Sequence, residues 1–435
     1  MNNGYWWRLA SRVGVWLFWG ILFSLTVQAQ DAPKKVTYFA HIEPIIRTNC
    51  APCHQPGKAG PFSLLTYEDV AKRAKFIAHV TQTRYMPPWH ADPEFRHFAN
   101  ERVLTNEQIA LIQKWVQTGM PAGRKRRETP VPTGPYPARK PDLTVKMNRP
   151  FNVPDNNSEQ FRFFHLPTNL PENAYVEAIE FVPGNHAAVH HSRVMADTTN
   201  AISGINGLSE DDPKAKDFQA KPLADAFMYG WVPGNFPVFF PAGTAKKLRA
   251  NTDIILNVHY APSPIPLTDQ SAVNFYFAKG PVSREVQTLT MNENYITNQP
   301  FMLKAEAKPT FYMHTARLPE AVSLISVMPH MHRLGKTFLS YAITPTDEVI
   351  PLIKIPAWDF NWQTTYQFDT LVHLPKGTVI FAEATYDNTA QNPENPHRPP
   401  RDITYGWGTK DEMMNLILYY VKHQPGDENI TVMKK

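Results

Sequence analysis

From residue 151 to the C-terminus, short apolar runs are separated by Pro, Gly and Asn. They read "YVEAIEFVPG", "DIILNVHYAP", "VSLISVMPHMH", "TFLSYAITP", "TVIFAEATYDN" and "NLILYYVKH". The runs are rich in Val, Ile, Tyr and Phe and too short for helices, which predicts β-strands and a length of chain suited to two sandwiches. Before residue 124 the pattern changes. "TYEDVAKRAKFIAHV" opens on Thr66 with Asp69 three residues on, and "TNEQIALIQKWVQTGM" opens on Thr105 with Gln108. Both are capping boxes ahead of apolar stripes. The second places Ile109, Ile112 and Val116 on one stripe and stops at Gly119. Pro121, Pro130, Pro132, Pro135, Pro137, Pro141, Pro150 and Pro154 mark residues 124–154 as an extended linker. The expected order is a small all-α domain over 36–123, the linker, and all-β sandwich domains over 155–290 and 291–435.

Residues 1–29 add a targeting signal. Arg8 and Arg12 precede an apolar stretch from Val13 to Val27, and Val27-Gln28-Ala29 has the small-x-small form of a cleavage site. The stretch is shorter than the roughly 20 residues of a spanning helix. A cleaved signal peptide, with export to the periplasm or beyond and no transmembrane domain in the mature protein, is expected; a retained anchor is the alternative. The net charge of +5 includes "GRKRRE" at 123–128, which lacks interleaved aromatics and reads as a solvated linker. No nucleic-acid partner is expected.

The only 2 cysteines, Cys50 and Cys53, are too close to staple domains. With His54 they form C-x-x-C-H, the attachment pattern for one covalent haem c: two thiols for the vinyl groups and an imidazole for the iron. A dithiol redox pair would expect a βαβ context that the flanks lack. Met86, in the proline-rich "RYMPPWHADPEF", is the expected sixth ligand, with His90 as competitor. "GPFSLLTYEDV" and "MPPWHADP" resemble a group of bacterial cytochrome c domains over residues 36–123.

Histidines cluster in the sandwich region. "HAAVHHSRV" holds His186, His190 and His191; "LNVHYAP" holds His259; "MPHMHRLGK" holds His330 and His332. Alternate strand residues share a face, so His330 and His332 can hold one ion while Met331 points away. His190 and His191 are adjacent and would be split by a flat strand; both reach one ion only at a strand end or bulge. His186 has a lesser claim. Imidazole suits Zn, Cu, Fe and Ni. There is no H-E-x-x-H, and a blue-copper site would need a cysteine already committed to haem. Copper fits best.

"VHHSRV", "LNVHY", "HMHRLGK" and "TKDEMMNLILYY", in that order over about 155–425, resemble the copper type II, ascorbate-dependent monooxygenases, which include peptidylglycine α-hydroxylating and dopamine β-monooxygenases. The resemblance implies two jelly-roll domains and two copper ions. It places an electron-storing copper on His190, His191 and His259, and an oxygen-activating copper on His330, His332 and Met413, with Met414 an adjacent competitor. It implies hydroxylation of a C–H bond of a small molecule by O₂, with His330, His332 and Met413 catalytic. The sequence departs from the amidating enzymes at Met328, where an arginine is expected, at Asn257 and at Ile417; Asn415 is kept. A peptidyl-glycine substrate is therefore not expected, and Met328 and Ile417 suggest a more apolar pocket. The haem domain takes the role of reductant: electrons would pass from an external redox protein or small reductant through haem c to the three-histidine copper and on to the other. The alternatives are a non-catalytic electron-transfer or copper-binding protein, and peroxide-driven oxidation.

Overall fold

The computed structural model describes residues 35–131, 139–199, 201–215, 227–235, 237–406 and 408–432. The signal-peptide reading lies outside them. A π-helical turn at Tyr38–Ile42 runs into helix α1 at Glu43–Asn49, followed by α2 at Tyr67–Ala71, α3 at Ala74–Gln82 and α4 at Asn106–Gln117. Both expected capping boxes form: Thr66 with Asp69 and Thr105 with Gln108. The first leads into two helices rather than one, broken at Lys72–Arg73. Val36, Tyr38, Ile42, Ile46, Val70, Ile112 and Trp115 make one apolar cluster. The α4 stripe is centred on fully buried Ile112 and Trp115, with Ile109 and Val116 at its margin. Gly119 ends α4 at φ +82°, the left-handed conformation that glycine adopts freely.

The remainder is β-sheet, as the alternation predicts. The first sandwich joins a four-stranded sheet, ordered Gln160–Pro167, Asp253–Tyr260, Val189–Asp197 and Phe227–Trp231, to a six-stranded sheet. The larger sheet runs Leu143–Lys146, Ala272–Phe277, Ala174–Val182, Thr244–Leu248 and Arg284–Glu285, with Val238–Phe239 on Ala174–Val182. The second sandwich joins Gln287–Met291, Asn415–Lys422, Val322–His330 and Tyr366–Leu374 to Thr310–His314, Val379–Tyr386, Gly335–Ile343 and Val349–Ile355. Two boundaries need correction. Leu143–Lys146 and Phe151–Val153, assigned to the linker, are strands of the first sandwich. Gln287–Met291, assigned to the first sandwich, pairs with Asn415–Lys422 of the second.

The two sandwiches share a core. Ile325, Met328, Leu371, Ile417, Tyr419 and Val421 belong to the same apolar cluster as Phe227, Met228 and Phe240. Buried Tyr419 donates its hydroxyl to the Met228 carbonyl at 2.8 Å. Tyr419→Phe removes that donor and leaves the carbonyl buried without it. It is expected to cost about 1–3 kcal/mol, read as a lower urea midpoint. The chain from Trp89 to Asn100 straps the helices onto the second sandwich. Phe98 stacks on Phe368 at 5.7 Å, Asp92 pairs with Lys354 at 2.9 Å, and Ala99 N–H donates to the Gln367 carbonyl at 2.8 Å.

Candidate metal centres

The first centre rests on a bulge. Val189–Asp197 pairs antiparallel with Asp253–Tyr260, and the register passes from Val189↔Tyr260 directly to His191↔His259, skipping His190. The extra residue turns two adjacent histidines toward one point. His190 Nδ1 lies 3.2 Å from His191 Nδ1, and His259 Nδ1 lies 3.3 Å from it. Imidazole nitrogens bound tetrahedrally at ~2.0 Å from one ion stand about 3.3 Å apart. Burial pushes His191 and His259 well below the usual histidine range, reinforced by the neighbouring imidazoles, and pushes His190 down as well. The rings are thus held neutral, the form that ligates metal. Phe161 stacks on His259 at 4.0 Å, and the far nitrogen of that histidine faces Glu159 at 3.8 Å. The far nitrogen of His190 lies 3.2 Å from Asn361 Oδ1. His186 stays outside the cluster, 6.1 Å from the Trp231 ring.

The second centre closes the strand Val322–His330. His330 donates Nδ1–H to Gln363 Oε1 at 2.5 Å, and the Gln363 amide nitrogen is fixed by the Phe360 carbonyl at 2.9 Å. His332 donates Nδ1–H to the Asp411 carbonyl at 3.1 Å. Each ring therefore keeps its Nε2 lone pair free for an ion. The ring centroids are 5.2 Å apart. Met331 points away into the core, as the alternation predicts. Glu412, fully buried, accepts from the main-chain N–H groups of His332 at 2.9 Å, Leu334 at 2.7 Å and Met413 at 3.0 Å. One carboxylate thus ties the H-x-H turn to the methionine. Burial pushes that carboxyl up to about 8 against the pull of the three N–H groups. Met414 packs in the core, whereas Met413 Sδ receives Asn415 Nδ2 at 3.6 Å. Trp358 Nε1–H donates to the His332 carbonyl at 3.1 Å.

Burial also pushes His330 down to about 4 and His332 well below the usual range. A histidine whose folded pKa lies below its unfolded value of ~6.5 binds its proton more readily unfolded, so stability rises with pH across that interval. The five histidines of both centres act in this direction, while Glu412, whose carboxyl is raised, acts in the opposite one over the same interval. The histidines outnumber it, so the metal-free protein is expected to have a lower urea midpoint at pH 5 than at pH 7, with a smaller difference in His330→Ala.

One phenyl ring separates the centres. Phe360 lies 6.0 Å from the His190 ring, 6.3 Å from His191 and 6.0 Å from His332. The Arg333 guanidinium sits 5.8 Å from that ring and pairs with Glu159 at 3.0 Å, joining the two sandwiches. Asn257, one strand repeat from His259, is buried with Arg193 and Glu210 in a hydrogen-bonded group. Met328 and Ile417 belong to the apolar cluster that the two sandwiches share. Both fill the core between the sandwiches, and the Met328 methyl reaches Gly230.

Residues 285–432 match the family model for the copper type II ascorbate-dependent monooxygenase, C-terminal domain. That family consists of copper-dependent monooxygenases, which supports this general kind of enzyme and copper as its metal. The match takes in the monooxygenase-type second sandwich with His330, His332 and Met413; the first sandwich up to Val282 and the helical segment lie outside it. No curated protein matches the chain. Among solved structures, the major capsid protein P2 of bacteriophage PM2 is 10% identical with a TM-score of 0.25, over 62% of this chain and 100% of that one. The VP2 subviral particle protein of infectious bursal disease virus is 9% identical with a TM-score of 0.19, over 66% and 72%. Allantoicase is 8% identical with a TM-score of 0.17, over 55% and 81%. Likenesses this distant bear on neither fold nor function.

The C-x-x-C-H turn follows α1. Both thiols are free, and burial pushes Cys50 up to about 12 and Cys53 upward. His54 Nδ1 meets the Phe62 carbonyl at 3.2 Å, which leaves its Nε2 lone pair to a ligand. Gly60 makes this turn possible: a Cβ there would lie 2.7 Å from His54 Nδ1. Met86 lines a cavity of 560 Å³ beside Leu104 and Ile109, a wall to which Cys50, Cys53 and His54 do not contribute. His90 lies on the strap, with Nε2 buried and unpaired and the ring held by the Ala357 main chain.

Proposed function

We propose that this chain is an exported, haem- and copper-dependent monooxygenase that hydroxylates a C–H bond of a small organic substrate with O₂. The observation that carries the proposal is the convergence of three Nδ1 atoms, His190, His191 and His259, one phenyl ring from His332, which pairs with His330 in the sandwich that matches the monooxygenase family model. In this reading two jelly-roll sandwiches carry two copper ions, one on His190, His191 and His259, the other on His330, His332 and Met413. Cys50, Cys53 and His54 hold haem c covalently in a small cytochrome c domain, with Met86 as sixth ligand. Copper supplies one-electron redox and O₂ activation, and haem supplies single electrons from an external donor. The chain's own residues set the ligand geometry: Gln363 and the Asp411 carbonyl fix the tautomers of His330 and His332, and Phe62 fixes that of His54.

Metal and haem analysis of protein expressed with export and haem-attachment machinery tests the reading, with one iron and two coppers per chain expected. Reduced haem mixed anaerobically with the Cu(II) protein should be reoxidised, and ¹⁸O₂ should label a product. No haem oxidation in that mixture would sink the electron route. The Phe360 ring stands between His190 and His332 with Arg333 over it, and this observation favours a second reading: a non-catalytic electron-transfer or copper-binding protein on the same scaffold. It expects haem oxidation without labelled product.

A further inference from the structure

The three-histidine centre belongs to the first sandwich, yet one of its ligand rings is held by the second. Asn361 lies on the segment between the strands Val349–Ile355 and Tyr366–Leu374. Its main-chain N–H and its side-chain nitrogen both reach Asp359 Oδ1, at 2.8 and 2.9 Å. These two bonds fix the amide so that Oδ1 faces outward, and it meets His190 Nε2 at 3.2 Å. An amide oxygen only accepts, so His190 must carry its proton on Nε2. Its Nδ1 lone pair is then the one directed at His191 and His259.

We infer that Asn361 is a positioning residue for His190, so that the three-histidine site of the first sandwich is completed by the second. The inference rests on the reading of His190, His191 and His259 as a copper site. Asn361 shares its segment with Trp358, Phe360 and Gln363. Trp358 and Gln363 bond the other centre, and Phe360 stands between the two. Separation of the sandwiches would therefore release His190 while leaving His191 and His259 on their own paired strands. An ordinary surface asparagine would explain the two bonds to Asp359, but it would have no reason to direct its oxygen at a ligand ring on another sandwich.

Asn361 is exposed on its outer side, so its replacement leaves the core intact. The test uses the full chain loaded with copper and compares wild type with Asn361→Ala, Asn361→Asp and His259→Ala. Asn361→Ala is expected to change the Cu(II) hyperfine pattern of one copper and to weaken its binding about 10–100-fold, leaving the other copper unchanged. Asn361→Asp keeps an acceptor on Nε2–H. It loses the side-chain bond to Asp359 and faces that carboxylate, so it is expected to retain more binding than Asn361→Ala without reaching wild type, and to lower the potential of that copper, because a carboxylate makes the imidazole a stronger donor. Wild-type spectra and affinities in Asn361→Ala, with one copper lost in His259→Ala, would overturn the inference alone. Two coppers retained in His259→Ala would overturn the copper reading and the inference together.

Discussion

If the proposed haem and copper reading holds, the Met413→Ile protein is expected to fold, to bind iron and the copper of the three-histidine centre as the wild type does, and to lose copper-dependent O₂ consumption by about 100-fold or more. The structure separates the two roles of this residue. Its main chain holds the site together, with N–H bonded to Glu412 at 3.0 Å and carbonyl bonded to the Tyr386 hydroxyl at 2.9 Å. Neither bond involves the side chain, and isoleucine differs little in volume, so the packing cost should stay below about 1.5 kcal/mol. What disappears is the thioether, the soft donor that favours Cu(I), the state in which copper meets O₂. Outer partners of a metal site typically cost 10–100-fold when removed, and a ligand should cost at least as much. Met414→Ile is the control. That side chain lies in the core, so its replacement should lower stability while sparing turnover. Oxygen-electrode traces with a chemical reductant, alongside the haem reduction spectrum, give both readings. Unchanged O₂ uptake in Met413→Ile would remove Met413 from the site; uptake absent even in wild type, with haem oxidation intact, would favour the electron-transfer reading.

The histidine clusters were legible in the sequence where local geometry alone decides. The alternation in "MPHMH" sends Met331 into the core and leaves two histidines together, as found. The adjacent pair His190 and His191 demanded a bulge, and the register contains one. The prolines of 124–154 read as an extended linker, but an extended chain between prolines can also pair as a strand. Leu143–Lys146 is an edge strand, where flanking prolines leave no missing ladder bond. Met328 and Ile417 drew notice only through the positions they hold in the resemblance to the amidating enzymes; that they also pack in the core shared by the sandwiches depends on long-range packing that no local pattern encodes. The residues that hold the histidine clusters were invisible for a related reason. Asn361 is 171 residues from His190, Gln363 is 33 from His330, and Glu412 is 80 from His332. Nothing in an isolated "DFNWQ" announces a partner that far along the chain. Glu412 left one trace, an acid before two methionines and an apolar strand, where an ionisable group must be satisfied by the fold or by chemistry.

Glu412→Ala should then be the most damaging single change at the second centre, for a reason distinct from metal ligation. It removes the acceptor of three main-chain N–H groups, those of His332, Leu334 and Met413, in a place without solvent. A buried donor left unmade costs about 1–3 kcal/mol, so the metal-free protein should lose on the order of 3–5 kcal/mol once the turn relaxes. The loss should fall on this centre first, because the H-x-H turn and the methionine are joined through this carboxylate. Glu412→Gln keeps part of the connectivity. An amide oxygen at the Oε2 position keeps the bonds from His332 and Met413, while the amide nitrogen meets the Leu334 N–H and repels it. Its cost should therefore lie between wild type and alanine, with copper binding at the second centre partly retained. Urea unfolding of the metal-free proteins gives the first quantity and copper titration the second. A Glu412→Ala midpoint within about 0.5 kcal/mol of wild type would mean that the turn is held by Gln363 and Trp358 alone.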